Sequence, residues 1–197
     1  MIVSLKEICV KFHDKMRYIK YINIHNMNIR SIHFLILGFL YQTPMHGYQI
    51  HKNLSDPAGV GAVWHIKITN IYGLLEVLEK QGYVQPSNFR EEDDSYPPKK
   101  YFEITASGKK IFSDWMQEPV QHGREIRQIL LSKLYFAENY DRTIYSQLID
   151  DQIKECKTWL KNIRKISREA SEFNEIVNSF RTLQIESFIT WLERWKK

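Results

Sequence analysis

Lys67, Thr69, Asn70 and Tyr72 crowd the front of one helical pattern, and Lys99 and Lys100 stand side by side further along. These residue types suit the recognition of a nucleic acid. An amide such as Asn70 can pair bidentately with the major-groove edge of adenine, and a Thr methyl can meet the thymine methyl. Lysine ammonium groups balance phosphate charge, which orients a protein on a duplex without reading its sequence. His46 and Tyr48, in the run Pro44-Met45-His46-Gly47-Tyr48, could add donors to phosphate. Each residue also has a plainer use. Thr69 and Asn70 could cap their helix, Tyr72 and His46 could pack locally, and the lysines could end a solvated strand.

Other chemistries find little support. His46, His51 and His65 follow no metal-ligand spacing, and Cys9 and Cys156 form neither a metal quartet nor a disulfide framework. No glycine-rich phosphate loop or strained nucleophile elbow occurs. The expectation is therefore no enzyme, no metal and no cofactor. The acidic run Glu91–Asp94 reads as a solvated turn. Trp64, Trp115, Trp159, Trp191 and Trp195 could line a site for a flat apolar ligand, although core packing is the ordinary use of each.

The elements that must position the polar residues follow from pattern and punctuation. Residues 66–82 read as a helix with Leu74, Leu75, Val77 and Leu78 turned inward, ended by Gly82. Before it, residues 29–42 form an apolar run too short to span a bilayer. A second helix starts with Thr43 as N-cap and Pro44 in the first turn and reaches about residue 54, with Gly47 suited to close helix contact. Residues 55–61 are a breaker-rich loop. After the 66–82 helix, residues 83–89 and 99–104 read as a hairpin joined by REEDDSYPP, and Thr105 caps a helix over 106–117 that Pro119 stops. Helix, helix, recognition-type helix, two strands, helix is the order of a winged helix-turn-helix, which assigns residues 27–118 to one domain.

Residues 119–197 differ, with almost no Gly or Pro. Ile126, Ile129, Leu130, Leu134 and Phe136 mark one helix, broken at 138–141. Ile149, Ile153, Cys156, Leu160 and Ile163 step as a heptad seam, and a last helix carries Phe173, Ile176, Val177, Phe180, Leu183, Phe188, Trp191, Leu192 and Trp195. An antiparallel pair cannot bury all these faces alone, so this region is expected to make a homodimer. Residues 1–26 form an extension, read as an added amphipathic helix, with a poorly ordered arm and a membrane-surface segment as the alternatives. The fold class expected is mainly α with a small β-hairpin wing.

The net charge of +5 does not lie where the polar residues do. Residues 1–26 carry 5 Lys/Arg against 2 Asp/Glu, residues 27–118 carry 9 against 10, and residues 119–197 carry 14 against 11. Bulk charge is therefore no argument for nucleic acid here; placement of single cations must be. Absence of a secretory signal or membrane span in the sequence points to the cytoplasm.

Three motifs resemble the PadR family of transcriptional regulators. Ile36-Leu37-Gly38-Phe39-Leu40 followed by Pro44-Met45-His46-Gly47-Tyr48 is similar to one signature of that family. Ile71-Tyr72-Gly73-Leu74-Leu75 with Leu78-Glu79-Lys80-Gln81-Gly82 is similar to a second, and Lys99–Thr105 with Gly108 to a third. The C-terminal region loosely resembles the family's virulence-activator-type helices. The acidic wing tip departs from the pattern and argues against phosphate contact there, and residues 1–26 have no counterpart. The resemblance implies a dimeric repressor on a palindromic operator in double-stranded DNA, released by a small aromatic effector. The alternative is a winged-helix protein-interaction module that has lost DNA binding, motivated by the near-neutral domain.

Overall fold

A computed structural model describes residues 30–89, 99–166 and 171–196. The extension 1–26 and the acidic wing tip lie outside the described residues. In chain order the elements are α1 (Ser31–Leu40), β1 (Met45–His46), α2 (Gly47–Leu54), a 3-10 turn (Val60–Ala62), α3 (Ile68–Lys80), β2 (Val84–Ser87), β3 (Tyr101–Ile104) and α4 (Ala106–Gln117). A single turn (Gly123–Glu125) and a π-helical segment (Ile126–Leu130) then lead into α5 (Leu131–Tyr140), followed by α6 (Arg142–Ile166) and α7 (Glu172–Trp195). The expected fold class holds: a winged helix with a helical C-terminal region.

The sheet is antiparallel with β3 in the middle, in the order β1-β3-β2. Val84 pairs with Ile104 and Ser87 with Tyr101, while on the other edge Met45 pairs with Phe102 and His46 with Tyr101. Pro86 is accommodated because β2 is an edge strand, where a missing N–H breaks no second ladder.

The start of the second helix differs from the sequence expectation. Thr43 and Pro44 precede β1, and His46 is the N-cap, its Nδ1 accepting from the Gln49 N–H at 3.3 Å. Pairing to β3 holds Met45 and His46 extended, so the helix begins only at Gly47. Other ends fall where punctuation placed them. Thr105 accepts from the Gly108 N–H at 3.1 Å to cap α4. Gly82, at φ +71°, closes α3: its N–H donates to Glu79 O and that of Tyr83 to Leu78 O. This is a paired C-terminal cap that needs a residue free of left-handed strain.

α1 is apolar all round and is buried from His33 to Leu40. Phe34 stacks on Trp115 of α4 with centroids 4.9 Å apart. One continuous core runs from these residues through Phe136, Leu148 and Ile149 to Leu192, so the C-terminal helices share the core of the winged helix. Polar clamps join the two regions. Buried Gln152 accepts from the Val120 N–H at 2.7 Å and donates back to its carbonyl. Buried Lys133 donates to the Glu118 carbonyl at 2.6 Å and lies over the Trp115 ring. Tyr140 donates its hydroxyl to the Gly38 carbonyl.

The helix expected around 126–136 is not uniform, because its first part is π-helical. The heptad seam of α6 faces inward: Ile149, Ile153 and Cys156 are buried, with Leu160 and Ile163 packed against the core. α7 folds back along α6, and Lys196 closes the pair on Asp150 at 2.7 Å. It buries Ile185 and Leu192, but Phe173, Ile176, Phe180 and Leu183 stay exposed.

Candidate nucleic-acid interface

The polar front of α3 is open. Lys67 is the N-cap residue with extended backbone, and no side chain caps the helix. Thr69 and Asn70 are exposed in the first turn, so the capping role weighed for them is not the one they take. Ile71, Leu75 and Leu78 are buried on the opposite side, while Leu74 and Val77 are half-buried against the core. Tyr72 is 55% exposed and Tyr48 60% exposed. The two tyrosines come from different helices, and the Tyr72 ring lies beside Gly47, the residue before Tyr48. A Cβ on Gly47 would come within 2.7 Å of the Tyr72 ring, so the absence of a side chain there lets that ring lie across α2.

His46 belongs to the support of this surface. It is buried, its Nδ1 serves the cap of α2, and its ring meets Tyr101 edge-on at 5.2 Å. Its imidazole thus fixes the angle at which α2 and Tyr48 leave the sheet.

The lysines at the wing base sit at the far end of α3. Lys100 reaches Glu79 at 3.0 Å and lies over the Phe102 ring at 4.7 Å. Glu79 lies nine residues beyond Asn70, about 14 Å along the helix axis. The structure therefore does not gather Lys100 with Thr69 and Asn70; it sets them at two ends of one helix. Lys99 is exposed beside it. Within the wing, Glu103 accepts from Gln85 at 2.7 Å and from Ser87 at 2.8 Å, and these bonds hold its carboxyl below the usual range. Glu76 is likewise held low by its bond to Lys80, at 2.7 Å on the outer face of α3. The acids of this helix are thus matched by lysines, which limits their repulsion of a polyanion.

The segment leading into α3 is held from the C-terminal region. The Trp64 Nε1–H donates to Ser132 Oγ at 2.8 Å, Ser132 in turn donates to the Gln128 carbonyl, and Gln128 donates to the Val63 carbonyl at 3.2 Å. His51 Nε2 bonds the Ile66 carbonyl at 3.0 Å. None of Glu79, Gln128 or Ser132 stands out as a site residue in the sequence. Only Glu79 carried a signal, its place in the second motif.

An exposed polar helix start, buttressed from behind and flanked by a β-hairpin with cations at its base, is the arrangement of a winged helix-turn-helix fold. Residues 36–114 match the model of the PadR-like transcriptional regulator family. The chain is similar to the negative transcriptional regulator PadR of Bacillus subtilis (strain 168), with 24% identity over 178 residues covering 84% of this chain and 95% of that one. Among solved structures it resembles Bacillus subtilis PadR in complex with operator DNA, at 23% identity and a TM-score of 0.43, covering 85% of this chain and 97% of that one. The same protein in complex with p-coumaric acid gives 23% identity, a TM-score of 0.40 and the same coverage. No described helix is long and apolar enough to cross a membrane.

Proposed function

We propose that the chain is a homodimeric repressor that binds a palindromic operator in the cytoplasm. The observation that carries the reading is the start of α3, where Thr69 and Asn70 are exposed and take no part in capping. In this reading Asn70 and Thr69 meet base edges, while Lys67, Tyr48 and Tyr72 contact the flanking backbone. Lys99 and Lys100 meet phosphate at the wing, Lys100 sharing its charge with Glu79. His46 acts through its support of Tyr48. The domain division proposed is 27–118 for DNA and 119–197 for dimerisation.

The dimer reading is supported by the open face of α7. Phe173, Ile176, Phe180 and Leu183 are all exposed, at steps of 3, 4 and 3 residues, the period of a helix-packing seam. A second copy packed there would remove these side chains from water. Two recognition helices would then address half-sites about 34 Å apart. A small aromatic effector would release the complex, and p-coumaric acid, held by the Bacillus subtilis relative, is the compound to try first.

The test is fluorescence anisotropy with a duplex from the protein's own upstream region and a random duplex of equal length, across a salt titration. Preference for the upstream duplex and a dimer in light scattering are expected. Asn70→Ala should lose discrimination at particular bases, and Lys99→Ala should flatten the salt dependence by about 1. Equal, negligible binding to both duplexes by an intact dimer would favour an interaction module instead, as the near-neutral 27–118 region suggests.

A further inference from the structure

Gly73 lies in the interior of α3, where glycine is the least favourable residue after proline. Three other helical glycines, Gly38, Gly47 and Gly108, have a reason inside the chain. A Cβ at Gly38 would strike the Phe136 ring at 2.5 Å, at Gly47 the Tyr72 ring at 2.7 Å, and at Gly108 the Tyr83 carbonyl at 2.2 Å. Gly73 has none: a Cβ there would meet nothing within 4 Å, and the residue is exposed. Its position on the helix is specific. It follows Thr69 by four residues and Asn70 by three, so the three share one outward face. The buried side chains Ile71, Leu75 and Leu78 lie on the opposite face. One turn further along, Glu76 and Lys80 neutralise each other on the outer surface.

We propose that Gly73 is a positioning residue for DNA recognition: the bare backbone at this turn seats against the wall of the major groove, at a depth that brings Thr69 and Asn70 to the base edges. This rests on the DNA-binding reading above. A helix that forgoes a methyl group at an exposed turn, with room for it, leaves space for something that is not part of the chain. Of the surfaces a helix start with Asn and Thr fits, duplex DNA approaches closest, because its groove admits a helix with little clearance.

The experiment compares wild type, Gly73→Ala and Gly73→Leu by thermal unfolding and by anisotropy on the upstream and random duplexes. Both substitutions should raise the melting temperature, since both residues are better helix formers and meet no neighbour. Affinity for the upstream duplex should nevertheless fall, by about tenfold for Ala and further for Leu, a loss of about 1.4 kcal/mol or more. The slope of affinity against salt should be unchanged, because no cation is removed. A role confined to the fold cannot give greater stability with weaker binding. Wild-type binding with variant affinities within about twofold of it would overturn the proposal alone. Absence of wild-type binding would overturn the DNA reading and the proposal with it.

Discussion

Removing the hydroxyl of Ser132 tests whether the C-terminal region holds the approach to the recognition helix. Ser132 is fully buried and accepts from the Trp64 indole at 2.8 Å, so Ser132→Ala strands an N–H that was paired. Such a loss costs about 1–3 kcal/mol. In a chain of this length each kcal/mol corresponds to about 2–4 °C in Tm. Trp64→Phe removes the donor instead, together with some packing. If the bond carries the effect, a double-mutant cycle gives a coupling of about 0.5 kcal/mol or more between the two substitutions. Urea unfolding supplies the stabilities, and anisotropy on the upstream duplex supplies the functional readout. Because the Trp64 segment runs directly into Lys67 and α3, Ser132→Ala should also weaken binding measured well below Tm. A coupling indistinguishable from zero would refute the role given to the bond. Coupling in stability with unchanged DNA affinity would refute the positioning role and leave a purely structural tie.

Three further outcomes follow from the geometry. Glu79→Gln should release Lys100 and steepen the salt dependence of binding by up to about 1 per bound copy, and Lys100→Ala should then flatten it more in that background than in wild type. Gly108→Ala would drive a methyl into the Tyr83 carbonyl, forcing the base of the wing away from α4; a loss of about 1–3 kcal/mol in urea unfolding is expected, and a neutral result would show that the wing base yields freely. His33 is buried and its pKa is lowered chiefly by desolvation, so the folded state binds its proton less readily than the unfolded state. Its contribution is therefore complete above the ordinary value of 6.5 and is lost as pH falls toward the folded value. His33→Asn, which keeps an acceptor for the Arg30 N–H, should flatten the fall in stability between pH 7.5 and 5.5, both taken as values about one unit either side of that pKa.

The winged-helix order was legible because local signals mark it. Gly82 requires a positive φ, Thr105 caps its helix, and the apolar period of residues 66–82 selects an inward side. The two-residue strand β1 was not legible. It is too short for a period of two to show, and Met45 and His46 are extended only because β3 lies alongside them. The same pairing makes His46 the cap of α2 and displaces the role expected of Thr43. The π-helical segment escaped for a related reason, since Ile126, Ile129 and Leu130 read as one face of an ordinary helix.

By itself the sequence determined the types of group available to the interface and the helix that displays them, because capping, periodicity and turn chemistry act over a few residues. Tertiary structure decided which of those groups are left to face outward. Glu79 engages Lys100 across 21 positions, and Ser132 holds Trp64 across 68. Likewise, the apolar residues of α7 are all visible in the chain, but only the packing of α7 on α6 separates the covered Leu192 from the uncovered Phe173, Ile176, Phe180 and Leu183. Burial is a property of what lies opposite a side chain, and what lies opposite is set by contacts between residues far apart in sequence.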